Sequence, residues 1–382
     1  MLSGAVDADS RQGAAAKIDA QCLFLISLDE AGEFHGKQKI SPECILEFTR
    51  QLSTLINSGY PLLKSLQILA ADAEQSAAAP LAGNIIGQIK DGVSFSQALT
   101  RYPQYFSQLY VSLVNVGETS GTLGENLKRV AQFLEEERDF KANLLSVLAY
   151  PVFVAGLGVV TVIVLLKFVI PKLVVIFQDM GQTLPWLTAV IVAASDFFSR
   201  FWIFILAIIA MAVWMARTYL ADQQSRISWD KYKLNLPLLG GLLQRIEISR
   251  LSRTLSLLLR SGLPIDFSLR VLRSTASNTF LRQVVSGIEK DIKDGLSLNS
   301  ALKKTRAFPA VFVNVVTVGE ETGRLDTVLE EISAEYTKDI NRKVKILLTF
   351  LELVMILGVG LMVGLIVVGM LLPIFELDFS AY

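Results

Sequence analysis

The segment RQLSTLINSGYP at residues 50–61 returns as RTLSLLLRSGLP at residues 253–264, an offset of 203 positions. The same offset pairs DGVS at 91–94 with DGLS at 294–297. A repeat that keeps its register through separate motifs indicates one structural unit that occurs twice in the chain.

The register of the repeat changes once. VGETSG at 116–121 aligns with VGEETG at 318–323 at an offset of 202, and this offset continues to Pro171 and Pro373. One residue is therefore lost between the second and third motifs of the second copy. We interpret the chain as a tandem duplication in which each copy ends at a proline.

Turn and capping residues divide each copy into short helices. The Ser-Gly-x-Pro motif is typical of a helix that ends on glycine and is followed by a helix that starts with proline. The Asp-Gly-x-Ser motif predicts a turn followed by a capping serine. No stretch outside 21–28 alternates long enough to indicate a sheet, so the pattern predicts an all-α fold. The structural-motif residues are Ser58, Gly59, Pro61, Asp91, Gly92, Gly117, Glu118, Gly121, Ser261, Gly262, Pro264, Asp294, Gly295, Gly319, Glu320, Gly323, Pro171 and Pro373.

Two glutamates of the third motif have two interpretations. Glu118 and Glu320 could bind a partner, or could accept backbone N–H groups at the start of the following helix. Both copies keep the motif at a helix junction, which favours the structural interpretation.

The composition excludes several classes of protein. Lys+Arg and Asp+Glu both number 36, so no basic excess indicates nucleic-acid binding. The only histidine is His35, and the two cysteines, Cys22 and Cys44, lack the CxxC spacing of zinc sites. The chain has neither HExxH nor the phosphate-binding GxxxxGK[ST] loop. We predict that it is not an enzyme, holds no metal or cofactor and takes its energy from a partner.

Hydrophobic residues make up 52% of the chain and predict three membrane helices. The stretches 148–171, 197–219 and 350–373 are each long enough to cross a hydrocarbon core about 30 Å thick. The first and third are expected to stop at Pro171 and Pro373. The apolar residues 184–194 are interrupted by Ser195-Asp196, which favours an interfacial or re-entrant segment before the second helix.

Basic residues predict the orientation of these helices. Lys and Arg precede the first and third helices and follow the second, whereas the connection 171–199 contains only Lys172 and no Lys or Arg follows Pro373. The positive-inside rule therefore places the N-terminus in the cytoplasm and the C-terminus outside.

The predicted architecture is two homologous cytoplasmic helical bundles, of about six helices each, with three transmembrane helices. Its order is a variable N-terminal segment (1–40), bundle 1 (41–147), membrane helix 1 (148–171), a periplasmic or interfacial segment (172–196), membrane helix 2 (197–219), bundle 2 (220–349), membrane helix 3 (350–373) and a periplasmic tail (374–382). The charged last helix of each bundle is expected to continue directly into a membrane helix.

The paired motifs resemble a known family, the inner-membrane platform proteins of type II secretion systems and type IV pili (the F domain family). AYP at 149–151, LP at 184–185 and LPIF at 372–375 are similar to that family, and the resemblance covers residues 40–378. It implies a multi-pass protein of the bacterial inner membrane that works as a homo-oligomer. Its partners would be a hexameric cytoplasmic ATPase, pilin or pseudopilin subunits and other platform proteins.

The chain departs from the family pattern at a few positions. Its first 40 residues are unusual for the family, and the FLEL at 350–353 lacks an expected proline. Some relatives are thought to hold calcium near a glutamate at the position of Glu118, but Lys64 stands where a second acid is expected. No calcium site is therefore inferred.

Other functions remain open at this stage. The alternative is a transporter or channel component that works as an oligomer, although the three predicted helices contain almost no charged groups away from their ends. An intramembrane enzyme would need paired acids or a Ser/His set at depth, and the helices carry neither.

Overall fold

The computed structural model describes residues 40–72, 78–169, 171, 175, 186–237 and 239–379. The described residues form helices and connections without a strand, so the predicted all-α fold class is confirmed for them. The N-terminal segment 1–39, with Cys22, His35 and the possible strand at 21–28, lies outside them. The chain divides into two compact units, Met1–Gln132 and Phe133–Tyr382.

The first repeat consists of five short helices followed by a long one. They are α1 (Pro42–Asn57), α2 (Leu62–Asp72), α3 (Ala79–Lys90), α4 (Phe95–Thr100), α5 (Gln108–Ser120) and α6 (Leu123–Val164). Serine side chains begin several of these helices: Ser41, Ser94 and Ser107 each accept a hydrogen bond from the backbone three residues on.

Two helices lie between the repeats in the chain order. They are α7 (Trp186–Ala221) and α8 (Gln223–Leu234). The second repeat then follows the order of the first, with α9 (Gly240–Arg260), α10 (Ile265–Thr275), α11 (Thr279–Lys293), α12 (Leu298–Thr305), α13 (Ala310–Thr322) and α14 (Leu325–Phe379).

Equivalent positions form the cores of the two repeats. Leu52, Leu66, Ile85, Leu99 and Leu127 are fully or almost fully buried in the first repeat. Their counterparts at offsets of 203 and 202 are buried in the second: Leu255, Leu269, Ile288, Leu302 and Leu329. Each of these side chains contributes about 1.5–3 kcal/mol on burial, so the same apolar pattern stabilises the same helix packing twice.

The lost residue of the second repeat lies in one connection. Residues 101–107 join α4 to α5, whereas residues 306–309 join the longer α12 to α13. Arg306 ends α12 with φ of +51°, the one positive φ of a non-glycine residue in the described chain. The shorter connection thus turns through a left-handed residue, which costs some backbone strain.

Two described helices are long and apolar enough to cross a membrane, α6 and the Leu325–Gly364 part of α14. Their apolar side chains face outward: Phe153 in α6 is 70% exposed and Leu361 in α14 is 69% exposed. Large exposed apolar surfaces of this kind need lipid or protein to cover them. The predicted helix 197–219 lies inside α7 and stays a prediction as a membrane span.

The prediction that Pro373 closes the last helix was wrong. Helix α14 continues through Pro373 to Phe379. A proline removes one backbone hydrogen bond and bends a helix, but membrane helices tolerate this when strong helix-forming residues lie on both sides.

Ser195 and Asp196, which interrupt the apolar run of the sequence, lie within the continuous helix α7, and the interfacial placement of residues 172–196 stays a prediction. Two polar residues do not interrupt backbone hydrogen bonding when the flanking residues favour a helix. At the end of the first predicted span, α6 gives way to a π-helical turn at Leu165–Val169. Pro171 is described without its neighbours, so its role as a helix stop stays a prediction.

Candidate functional site in the repeated helix junctions

The first repeated junction is a glycine-ended turn. After α1, the N–H of Tyr60 donates to the carbonyl of Leu55 at 3.1 Å, and Gly59 has φ of +90°. After α9, the N–H of Leu263 donates to Leu258 at 3.2 Å, and Gly262 has φ of +86°. This six-to-one bond with a left-handed glycine is the Schellman motif.

Serine and proline complete this junction in both repeats. Ser58 and Ser261 are the C-caps of α1 and α9. The carbonyls of Pro61 and Pro264 then accept the first hydrogen bonds of α2 and α10, both at 2.9 Å. The motif predicted that each proline is the first residue of the next helix. In the structure each proline lies one position earlier, because α2 begins at Leu62 and α10 begins at Ile265.

The second repeated junction uses the same turn at Asp91-Gly92 and Asp294-Gly295. Gly92 and Gly295 have φ of +88° and +90°. Two residues on, Ser94 and Ser297 cap α4 and α12, each accepting from a backbone N–H at 3.3 Å. The turn therefore ends one helix and starts the next within four residues.

The carboxylate of Glu118 joins two helices of the first repeat. Its Oε1 accepts from the N–H of Phe95 at 2.6 Å and its Oε2 accepts from the N–H of Ser96 at 2.9 Å. These N–H groups belong to the first turn of α4 and have no partner within that helix. A negative charge there is also favoured by the helix dipole.

Glu320 repeats this arrangement in the second copy. Its two oxygens accept from the N–H groups of Leu298 at 2.7 Å and Asn299 at 2.9 Å, in the first turn of α12. Both glutamates thus accept backbone N–H groups, but at an earlier helix rather than at the following one. The donors lie 21–23 residues before the glutamates, so these contacts depend on how α5 packs on α4 and α13 packs on α12. Local sequence does not encode this packing.

Glycines at the end of α5 and α13 allow a close helix approach. A Cβ atom on Gly117 would lie 2.8 Å from the Cα of Leu123, and one on Gly319 would lie 3.2 Å from the Cα of Leu325. Gly121 and Gly323 then end these helices with φ of +73° and +68°. The third motif therefore combines a helix cap, a close contact and a turn.

Ion pairs that sequence reasoning missed occur within the second unit. Glu137 lies 3.4 Å from Arg250, and Glu136 lies 3.2 Å from Arg253. These pairs link α6 to α9, the first helix of the second repeat. Arg250 is not part of a repeated motif, because its counterpart in the first repeat is Glu47. Arg253 opens the repeated segment 253–264, but nothing in that segment identifies Glu136 as its partner.

Asp230 of α8 is a second group that the sequence did not reveal. Its Oδ2 accepts from the N–H of Thr279 at 2.8 Å, and its Oδ1 pairs with Lys233 at 2.9 Å. Burial raises the pKa of Asp230, but the hydrogen bonds from Thr279 and Lys233 outweigh this effect and hold the pKa below its usual range. The carboxylate therefore stays charged and holds α8 on the start of α11.

The described residues contain no group of three or more His, Cys, Asp or Glu that could hold a metal ion. The oxygens of Glu118 and Glu320 are used as acceptors for backbone N–H groups. The repeated junctions therefore hold the helices in position relative to one another within each repeat.

These features define a class of protein: a duplicated helical scaffold whose repeats lead into long apolar helices. The model of the family described as "Type II secretion system (T2SS), protein F" matches residues 48–171 and again residues 251–373. The two matches coincide with the two repeats, and the chain belongs to this family.

Several relatives resemble the chain over most of its length. The type IV pilus assembly protein TapC of Aeromonas hydrophila is 32% identical over 98% of this chain and 92% of its own length. The type IV pilus assembly protein PilC of Thermus thermophilus is 33% identical over 99% of this chain and 95% of its own length. The type II secretion system protein F of Vibrio cholerae is 31% identical over 90% of this chain and 85% of its own length.

Proposed function

We propose that this chain is the inner-membrane platform of a type IV pilus or type II secretion machine. In this role it couples a hexameric cytoplasmic ATPase to the movement of pilin or pseudopilin subunits out of the membrane. The family membership and the names of the relatives support this role. The chain would act with other platform proteins and as a homo-oligomer.

One structural observation carries the proposal. In both repeats the helix that begins at the third motif continues without a break into an exposed apolar segment. At 1.5 Å per residue, the 42 residues of α6 span roughly 63 Å and the 55 residues of α14 roughly 83 Å. A displacement at the cytoplasmic end is thus carried along a helix into the bilayer.

The proposed topology places residues 41–147 and 220–349 in the cytoplasm and the C-terminus in the periplasm. It includes three membrane helices, with 197–219 as the second. The charge distribution around the apolar segments supports this arrangement. The exposed side chains of α7, such as Phe204 at 63% and Ile208 at 67%, support membrane insertion of this helix.

The test is deletion of the gene in its own host, followed by complementation. Loss of surface pili or of secreted protein, restored by the wild-type chain, is the expected result. The detergent-extracted chain should retain the ATPase, and removal of residues 41–147 should abolish this. Normal piliation and secretion without the chain, or substrate flux through the pure chain in proteoliposomes, would contradict the proposal.

A charge swap tests whether α6 transmits movement through the second unit. Glu136→Arg or Arg253→Glu alone should reduce piliation or secretion, and the double variant should restore it, because the pair is re-formed with opposite signs. The pair of Arg260 and Glu330 within the second repeat is the matched control, since it does not involve α6. Equal effects of both swaps would argue against transmission through α6.

A further inference from the structure

Helix α8 begins directly where the apolar helix α7 ends. Asp222 is the only residue between the last residue of α7, Ala221, and the first residue of α8, Gln223. Asp222 is the N-cap of α8, and its Oδ2 accepts a hydrogen bond from the N–H of Ser225 at 2.9 Å. Among the described residues α8 has no counterpart in the first repeat. Its place in the chain therefore brings it to one end of α7, at the surface of the membrane in the proposed topology.

One face of α8 is held by the second bundle. Asp230 is 7% exposed and accepts from the backbone and hydroxyl of Thr279. Asn278 donates from its Nδ2 to the backbone carbonyl of Asp230 at 3.3 Å. These bonds fix the rotation of α8 about its own axis, so the residues of its opposite face point away from the bundle.

Two aromatic rings lie on the side of α8 that is turned away from Asp230. Trp229 and Tyr232 are three positions apart and are therefore neighbours on the helix surface, whereas Arg226 and Lys233, four positions before and three after Asp230, lie between the rings and Asp230. Trp229 is 41% exposed and Tyr232 is 58% exposed. Their rings stack with centroids 5.8 Å apart, and the Lys233 ammonium lies 5.9 Å from the Trp229 ring centroid.

Such a face has the chemistry of a membrane interface. Trp and Tyr are enriched at the headgroup level of bilayers, because their rings combine apolar area with a polar group. Lys and Arg close to an anionic leaflet are attracted to its negatively charged phosphates. Of the two acids of this segment, Asp222 accepts from the backbone of Ser225, and Asp230 accepts from the backbone of Thr279 and pairs with Lys233, which leaves Arg226 as the exposed cation beside the rings.

We propose that α8 lies on the cytoplasmic membrane surface, with Trp229 and Tyr232 at headgroup depth and the exposed Arg226 bound to phosphates of anionic lipids. The inference rests on the proposed topology, which puts the end of α7 on the cytoplasmic side. Because Asp230 ties α8 to the start of α11, the lipid contact holds the second bundle against the bilayer.

A lipid surface fits this face better than a protein partner. Helix α8 follows directly on α7 in the chain, and Trp214 and Tyr219 near the end of α7 are also exposed. A protein partner would have to cover α8 while leaving α7 in lipid. A bilayer, by contrast, covers both α7 and α8.

The experiment uses the full chain in lipid nanodiscs with Trp229 as its only tryptophan, the other three being replaced by phenylalanine. Lipids brominated near the glycerol backbone should quench its emission, and aqueous iodide should not. Discs with phosphatidylglycerol should give stronger quenching than discs of phosphatidylcholine alone. The variant Arg226→Gln, which leaves the pair of Lys233 and Asp230 intact, should lose this difference.

The matched control moves the tryptophan to the first bundle. Tyr60→Trp, in a chain with Trp229→Phe, places the ring at a 48% exposed position far along the chain from the described helices that are long and apolar enough to cross a membrane. It should be quenched by iodide and not by brominated lipid. If Trp229 behaves like this control, or is protected from both quenchers because a second copy or another protein covers it, the inference is overturned.

The two proposals fail separately. Quenching of Trp229 by brominated lipid in a chain that does not restore pili or secretion would reject the proposed function and keep the lipid contact. Restoration of pili or secretion with no quenching would reject the lipid contact alone.

Discussion

Glu118 and Glu320 stand 202 positions apart and make the same pair of hydrogen bonds, each to the first turn of a helix that begins 22 or 23 residues before it. The bond lengths agree within 0.1 Å: 2.6 and 2.9 Å in the first repeat, 2.7 and 2.9 Å in the second. Duplication has therefore preserved a tertiary contact as well as a sequence motif.

Replacing either glutamate should destabilise its own repeat. Glu118→Ala and Glu320→Ala each leave two N–H groups of a helix start without their acceptor, which should cost about 1–2 kcal/mol. Glu118→Gln should cost less, because its amide oxygen still accepts one bond. Thermal unfolding of the detergent-purified chain measures the difference. Glu321→Ala, at the exposed neighbouring position, is the control, and an equal loss there would refute the capping role.

Valine at the left-handed glycines should disrupt folding and stop assembly. Gly59→Val and Gly262→Val place a β-branched residue at φ near +90°, where even unbranched side chains cost about 1–2 kcal/mol. Gly287→Ala is the matched control. This glycine lies within α11 with open space around it, so alanine should stabilise the chain by about 0.5–1 kcal/mol. Piliation or secretion together with thermal unfolding reports both effects, and normal behaviour of both valine variants would contradict the glycine-turn interpretation.

Alanine at Gly117 should be more harmful than alanine at its counterpart Gly319. At Gly117 the new Cβ would meet the Cα of Leu123 at 2.8 Å, a backbone atom that cannot move aside without shifting α6. At Gly319 the nearest atom, the Cβ of Val328, lies at 3.1 Å. Overpacking of this kind costs roughly 1–3 kcal/mol. Unfolding temperatures of the two variants, compared in the same detergent, should rank them in this order, and the reverse rank would refute the argument.

Glu247→Gln should stabilise the chain at neutral pH. Burial raises the pKa of Glu247, opposed by Arg250, while nearby Asp230 raises it further and Lys233 lowers it. A carboxyl whose pKa is raised by folding binds protons more tightly in the folded state, so it destabilises the fold increasingly as the pH rises above the unfolded pKa, and to the full extent above the folded pKa. The penalty fades as the pH falls through the folded pKa and is absent below the unfolded pKa.

The Glu247→Gln variant removes the pH-dependent penalty of the carboxylate, because the glutamine side chain is neutral at every pH. Its gain in unfolding temperature should be largest near pH 7 and should vanish in acid near the ordinary pKa of 4.5. Glu321→Gln, on the surface of α13, should show no such trend. A gain of Glu247→Gln that grows as the pH falls would contradict the predicted sign.

Much of the helical order could be predicted from local signals. Ser41 and Pro42 mark the start of α1, and Ser94 and Ser297 mark the starts of α4 and α12, because a hydroxyl cap acts within three residues of its own position. The glycines of the turns are equally local, since a positive φ excludes most side chains at that residue alone.

Other features depended on residues far apart in the sequence. The helix that Glu118 caps, the pairs of Glu136 and Glu137 with arginines of α9, and the anchoring of Asp230 on Thr279 join positions from 22 to 117 residues apart. A single-sequence pattern carries no information on which of many acids meets which donor, because that choice follows from helix packing. The continuation of α14 through Pro373 was likewise missed.

The sequence by itself determined the duplication, the all-α class, the apolar segments and the turns, since each depends on residue type and short-range spacing. The tertiary structure alone decided which helix each glutamate caps, how closely α5 approaches α6 at Gly117, and which face of α8 is left exposed. These depend on the relative placement of whole helices, which is set by the sum of many weak apolar contacts in the core and by no single motif.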